Sequence, residues 1–100
     1  MNVEKIMELA EYIRTTPEPV KLFTWSRCIV GHAHLLWPET IQSCFKDGAL
    51  ADVLGITDAQ REKLVYPDDA KAAYLGQMGH REASVAMLLK LADTGEVNWG

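Results

Sequence analysis

The stretch "CIVGHAH", residues 28–34, places a cysteine and two histidines within seven residues, with a glycine among them. It reads as a metal site, as a Cys–His nucleophile pair, or as the apolar side of a helix. On a helix Cys28 and His32 are four apart and share a face, whereas His34 points well off it. A structural zinc site takes four ligands, and the remaining candidates, Cys44 and His80, stand alone in separate segments. A nucleophilic Cys28 would take His32 as its partner. Yet Cys28 adjoins Ile29 and Val30, on what should be the buried stripe, where a thiol stays protonated and inert. The stretch reads most simply as a core helix. Cys28 then packs inside, Gly31 lets a neighbouring helix approach, and His32 is half-buried. The phosphate-binding, dinucleotide-binding, zinc-protease and serine-hydrolase templates are all absent from the chain. The expectation is a protein that is not an enzyme, with no metal and no cofactor.

Working outward, helical spacing starts at Ser26, a good N-cap, runs through Leu35 and Leu36, and stops at Pro38. Upstream, Val3, Ile6, Leu9/Ala10 and Ile13 form one stripe behind Asn2 as N-cap, and "TTPEP" (15–19) ends that helix. Downstream, "PETIQSCFKDG" (38–48) opens near a proline and closes on Gly48, the usual asymmetry of a helix. "ALADVLG" adds another turn or two, ending at Gly55. "TDAQ" (57–60) is a capping box opening a helix that Pro67 breaks. "DDAKAAYLGQMG" (68–79) is a short helix. The last, "REASVAMLLKLAD", carries Val85, Met87/Leu88 and Leu91/Ala92 and ends at Gly95.

This pattern is all-α: a compact bundle of five to six short helices with short links, forming one domain over residues 1–100. "VKLFTW" (20–25) and "EVNW" (96–99) alternate like strands, so a small two-stranded β pair between 20–25 and 96–99 is compatible with it. With 48% apolar residues the chain can build a core without staples. Trp25, Trp37 and Trp99 are expected at the core or its edge.

The net charge of −4 argues against gripping nucleic acid through its phosphates, and no stretch is apolar enough to span a bilayer. Charges from Glu4 onward argue against a signal peptide, so Cys28 and Cys44 read as reduced thiols in a cytoplasmic protein. Glu4, Glu8 and Glu11 align on one face of the first helix. Asp68 and Asp69 stand at a helix start, where carboxylates favour the positive end of the dipole. These five residues are the candidate partner-binding set, since an acidic surface steers a basic partner and fixes its register.

"CIVGHA" (28–33), "LGITDAQREKLVYP" (54–67) and "LLKLADTGEVNW" (88–99), in that order, resemble a family of small bacterial and phage-encoded proteins of unknown function. The resemblance rests on caps and core positions and implies the fold, with no catalytic residue. In size, acidity and phage-like character the chain is also similar to the anti-CRISPR inhibitors of type I-F surveillance complexes. That similarity implies a protein acting in the host cell cytoplasm. It would occupy the cations with which Cas proteins hold DNA and block target binding, touching neither nucleic acid nor membrane. The alternative is a small helical DNA-binding regulator, with "ITDAQREKLVYP" as recognition helix carrying Arg61 and Lys63. Glu62 between those cations, and the overall charge, count against it.

Overall fold

Asn2 begins the first helix as its spacing requires: its side-chain oxygen accepts from the Lys5 amide at 3.2 Å. The helix that follows, α1 (Val3–Thr15), buries Ile6, Leu9, Ala10 and Ile13 on one face, whereas Val3, expected on that stripe, is exposed. The computed structural model describes residues 1–66, 69–97 and 99, with backbone alone at 69 and 70. Within them the remaining helices are α2 (Ile29–Leu36), α3 (Asp47–Leu54), α4 (Asp58–Val65), α5 (Asp69–Gln77) and α6 (His80–Thr94). The protein is an all-α bundle, with a radius of gyration of 11.9 Å, near the roughly 13 Å of a compact chain this long.

The long helices α1 and α6 make the most extensive pairing, and α2 and α3 close over α1 while α4 packs on α3. The core between them is mostly aliphatic, built on Ile6, Leu9, Ile13, Ile29, Ile41, Leu50, Leu54, Leu64, Met87, Leu88 and Leu91. The buried stripe of α6 is Ala83/Ser84, Met87/Leu88 and Leu91; Val85, expected on it, is half-buried.

Local chemistry explains the sharp helix ends. Thr57 accepts from the Gln60 amide at 3.1 Å, and Gln60 accepts from the Thr57 amide at 2.7 Å, so the expected capping box is complete. Gly55 ends α3 in the left-handed region, with φ of 65°. A side chain there would also meet the backbone of Asn2 and Met1 at 3.0–3.2 Å, because the Asn2 amide donates to Leu54 O at 2.8 Å.

Four expectations are corrected. Residues 20–25 form no strand, and among the described residues there is no strand at all; Asn98 lies outside them. The segment closes on itself, with the Lys21 amide donating to Arg27 O at 2.9 Å and the Thr24 amide to Lys21 O at 3.1 Å. An isolated strand pair is marginal, and these local turns satisfy the same groups. Residues 38–46 are turns, with the helix starting only at Asp47, so Gly48 opens α3 and ends nothing. Ser43 competes for the backbone there: its hydroxyl accepts from the Phe45 amide and its carbonyl from the Lys46 amide. Helix α2 starts at Ile29 with Cys28 as its N-cap, two residues after the expected Ser26.

Gly31 is the fourth. The atoms that crowd it most closely belong to the preceding turn, not to a neighbouring helix. An added Cβ would fall 2.3 Å from Ser26 O and 2.7 Å from Trp25 O, both backbone atoms that cannot swing aside. Gly31→Ala should therefore destabilise by at least the roughly 1–3 kcal/mol of an overpacked core. Gly48→Ala, with nothing within 4 Å of its new methyl, should stabilise by about 0.4–1 kcal/mol. Urea melts of the two variants check this, and equal midpoints would show that the 25–31 turn is free to move.

Candidate functional site

The acidic residues singled out on α1 all reach solvent. Glu4, Glu8 and Glu11, with Arg14, border a groove of about 460 Å³ between α1 and α6, floored by Met7, Ala10, Val85 and Leu89. Lys5 lies 3.5 Å from Glu8 and Arg14 donates to Glu11 from Nε at 2.9 Å; both pairs are exposed. The hydrogen bond from Arg14 holds the Glu11 carboxyl below its ordinary value. Glu8 also accepts from Trp37 Nε1 at 3.2 Å. Sequence periodicity places the carboxylates on one face; that α6 brings Leu89 and Val85 alongside them is tertiary information. Asp68 lies outside the described residues, as does the side chain of Asp69, whose backbone begins α5.

The opening stretch separates into independent contacts. Cys28 is buried and donates its thiol hydrogen to Trp25 O, with Sγ 3.5 Å from it. His32, expected to be half-buried, is completely enclosed, with Nε2 donating to Pro19 O at 2.8 Å and Nδ1 buried without a partner. His34 reaches Ile41 O at 2.6 Å. Thiol and imidazoles thus each serve a different backbone carbonyl. Cys28 and Cys44 are free thiols, and among the described residues no three His, Cys, Asp or Glu side chains cluster as a metal would require. No helix among them is long and apolar enough to cross a membrane.

A second surface escaped the sequence reading. Both phenylalanines of the chain are exposed, Phe23 at 50% and Phe45 at 65%, together with Trp25 at 38% and Tyr66 at 40%. Of the three tryptophans expected at the core or its edge, Trp99 is fully buried and Trp37 is half-buried against the core, whereas Trp25 is exposed. The Trp25 ring lies 5.6 Å from Phe45 and 5.8 Å from Tyr66, centroid to centroid. Leu22, Phe23, Thr24, Trp25, Cys28, Val65 and Tyr66 line a cleft of about 200 Å³ there. Each of these side chains forgoes part of the about 1.5–3 kcal/mol that full burial gives, and clustered exposed rings are characteristic of contact surfaces. Behind the cleft, Tyr66 donates to Asp47 at 2.8 Å and Arg61 to the same oxygen at 2.6 Å. Burial pushes the Asp47 carboxyl up, but these hydrogen bonds outweigh it and hold it below its ordinary 3.8. The sequence signal was there in the "FTW" of 23–25, whose rings follow no helical period, but its exposure depends on the turns.

No protein-family model, curated protein or solved structure matches this chain.

Burial holds the His32 imidazole below the ordinary 6.5, with the Pro19 hydrogen bond opposing it. The unfolded chain then takes up the proton first on acidification. The contribution of His32 to stability is therefore complete above pH 6.5 and is lost as pH falls below it, and the Asp47 contribution is lost in a separate window below 3.8. Thermal melts should show the midpoint falling as pH drops below 6.5, with a flatter slope in His32→Gln there. Parallel slopes would assign the acid sensitivity to another group.

Proposed function

We propose that the protein is a non-enzymatic, inhibitor-type binding protein that captures a basic segment of a protein partner on its α1–α6 face. The observation that carries this reading is the acid-bordered apolar groove: Glu4, Glu8 and Glu11 stand along the same depression that Met7, Val85 and Leu89 floor. Carboxylates steer a cationic partner in and fix its register, while apolar contact slows its release. The intrahelical pairs of Glu8 with Lys5 and Glu11 with Arg14 do not forbid this. Exposed pairs of that kind contribute about 0–1 kcal/mol and exchange readily for a partner's cations.

The partner class that fits is a nucleic-acid-binding complex whose Lys and Arg otherwise hold phosphates. The similarity to type I-F anti-CRISPR inhibitors makes a Cas surveillance complex the first one to test, with loss of target DNA binding as the consequence. The regulator alternative has less support. In α4, Arg61 is committed to Asp47 at 2.6 Å and lies 3.5 Å from Asp58, which keeps its guanidinium from reaching into a groove of DNA.

Reversing Glu4, Glu8 and Glu11 together to Lys should weaken capture of the purified surveillance complex by about tenfold or more, roughly 1.4 kcal/mol. The loss should lie mainly in the association rate and shrink as salt rises. Leu89→Ser should act on the dissociation rate instead. Asp68 and Asp69 form a separate reversal group. Binding of the triple reversal at wild-type strength in low salt would overturn the acidic-face reading.

A further inference from the structure

We propose that two imidazoles latch residues 19–27 onto the helices only while both are neutral, so that mild acid releases this segment and dismantles the aromatic cleft it builds. The chain has three histidines, and hydrogen-bond chemistry sorts them. A backbone N–H only donates, so in the bond from the Leu22 amide to His80 Nδ1 at 2.9 Å the ring nitrogen accepts and carries no hydrogen. A carbonyl only accepts, so His32 donates from Nε2 to Pro19 O at 2.8 Å. Its Nδ1 then holds the lone pair of the neutral ring, buried without a partner among the described residues. His34 differs: its Nδ1 donates to Ile41 O at 2.6 Å, a bond that a charged ring keeps.

An imidazolium carries an N–H on both nitrogens, so turning the ring over restores no acceptor. At His80, protonation sets a ring N–H against the Leu22 N–H. The Phe23 ring, 5.9 Å from that imidazole and at 88° to it, offers no lone pair in exchange. At His32, protonation places a second N–H inside the protein with no acceptor for it among the described residues. Around His32, Arg27 of the segment and Arg81 of α6 oppose a positive charge, Glu18 favours it, and Tyr12 of α1 packs its ring 6.1 Å away. Arg81 is also the residue next to His80. Neither ring forms an ion pair with a carboxylate among the described residues.

Bonds that do not titrate mark the limits of the released piece. Arg81 keeps Thr16 O and Glu18 O at 2.8 Å each, and α2 begins after its N-cap Cys28. Between these ends the segment closes on itself through the Lys21 amide and Arg27 O at 2.9 Å, so it moves as one piece. Its Leu22, Phe23, Thr24 and Trp25 form one wall of the cleft, facing Cys28, Val65 and Tyr66. The opened segment frees both rings to take up protons that the closed one refuses, so opening grows as pH falls.

Amide hydrogen exchange of the isotopically labelled full-length protein reads the release at Leu22. Corrected for the intrinsic exchange rate, protection of the Leu22 amide should fall by about fivefold or more between about pH 7 and about pH 5.5. Small additions of urea should leave that protection unmoved at the lower pH, because release of a short segment exposes little surface. Protection of Leu9 in α1 and Leu88 in α6, core residues that open with the whole bundle, should fall with the same additions. Leu22 protection that follows urea as the core does would overturn the proposal, since acid would then be unfolding the bundle. Protection of Leu22 that does not change with pH would overturn it too. His32→Gln and His80→Asn each put a carboxamide where the imidazole nitrogen bonds, and neither takes up a proton. Each should reduce the pH response of Leu22, and the two together should remove most of it. Should His32→Gln fail to fold, His80→Asn, at a half-buried position, decides the matter: an undiminished pH response there counts against the latch.

Discussion

Buried carbonyls must find donors, and the segment from Thr16 to Cys28 has neither helix nor strand to supply them. The answer comes from outside it. Arg81, at the start of α6, donates to Ile13 O at 2.6 Å, Thr16 O at 2.8 Å and Glu18 O at 2.8 Å. His32 of α2 donates to Pro19 O, and His80 Nδ1 accepts from the Leu22 amide at 2.9 Å. One guanidinium thus closes the carboxyl end of α1, where a cation also favours the negative end of the dipole, and holds the loop that follows. The long α1–α6 pairing, the path of the 16–28 segment and the aromatic cleft all depend on this anchoring.

The carboxyl end of α4 is closed by the same means. Trp99 Nε1 donates to Lys63 O at 2.7 Å, and Lys71 Nζ donates to Leu64 O and Val65 O, each at 3.1 Å. Lys71 is fully buried, a costly position for an ammonium. The two carbonyls, the helix dipole and the Trp99 ring 5.1 Å beneath it offset that cost. Trp99 in turn packs against Tyr74 of α5, so the end of the chain locks α4 and α5 together. Long polar side chains here act as distant helix caps, and they free the core to be aliphatic.

An aliphatic core has a consequence for the surface. Ile, Leu and Val side chains fill the space between short helices, and both phenylalanines are left outside around Trp25 and Tyr66. The α1–α6 groove and the aromatic cleft differ in kind. The groove combines exposed carboxylates with apolar side chains from two helices. The cleft is lined mostly by aromatic and aliphatic side chains, with no charged side chain among the described residues.

What the sequence determined by itself is governed by neighbours in the chain. The stripe of Ile6, Leu9, Ala10 and Ile13, the Asn2 cap, the Thr57–Gln60 box, and the glycine exits at Gly55 and Gly95 depend on residues three or four apart, so spacing and cap chemistry were enough. The alignment of Glu4, Glu8 and Glu11 was legible for the same reason. Tertiary structure alone decided the rest. Residues 38–46 have helical composition but too little apolar period to be held as a helix, and Ser43 turned the backbone to local bonds. Residues 20–25 alternate like a strand, yet no strand among the described residues pairs with them, and the turn closed by Lys21 and Arg27 satisfied the same amides. The burial of His32 and Lys71, the reach of Arg81 across more than sixty positions of sequence, and the exposure of Trp25 depend on which carbonyls each fold contact leaves without a donor. That accounting exists only once the chain is folded, because a side chain's partner is set by proximity in space and leaves no period in the sequence.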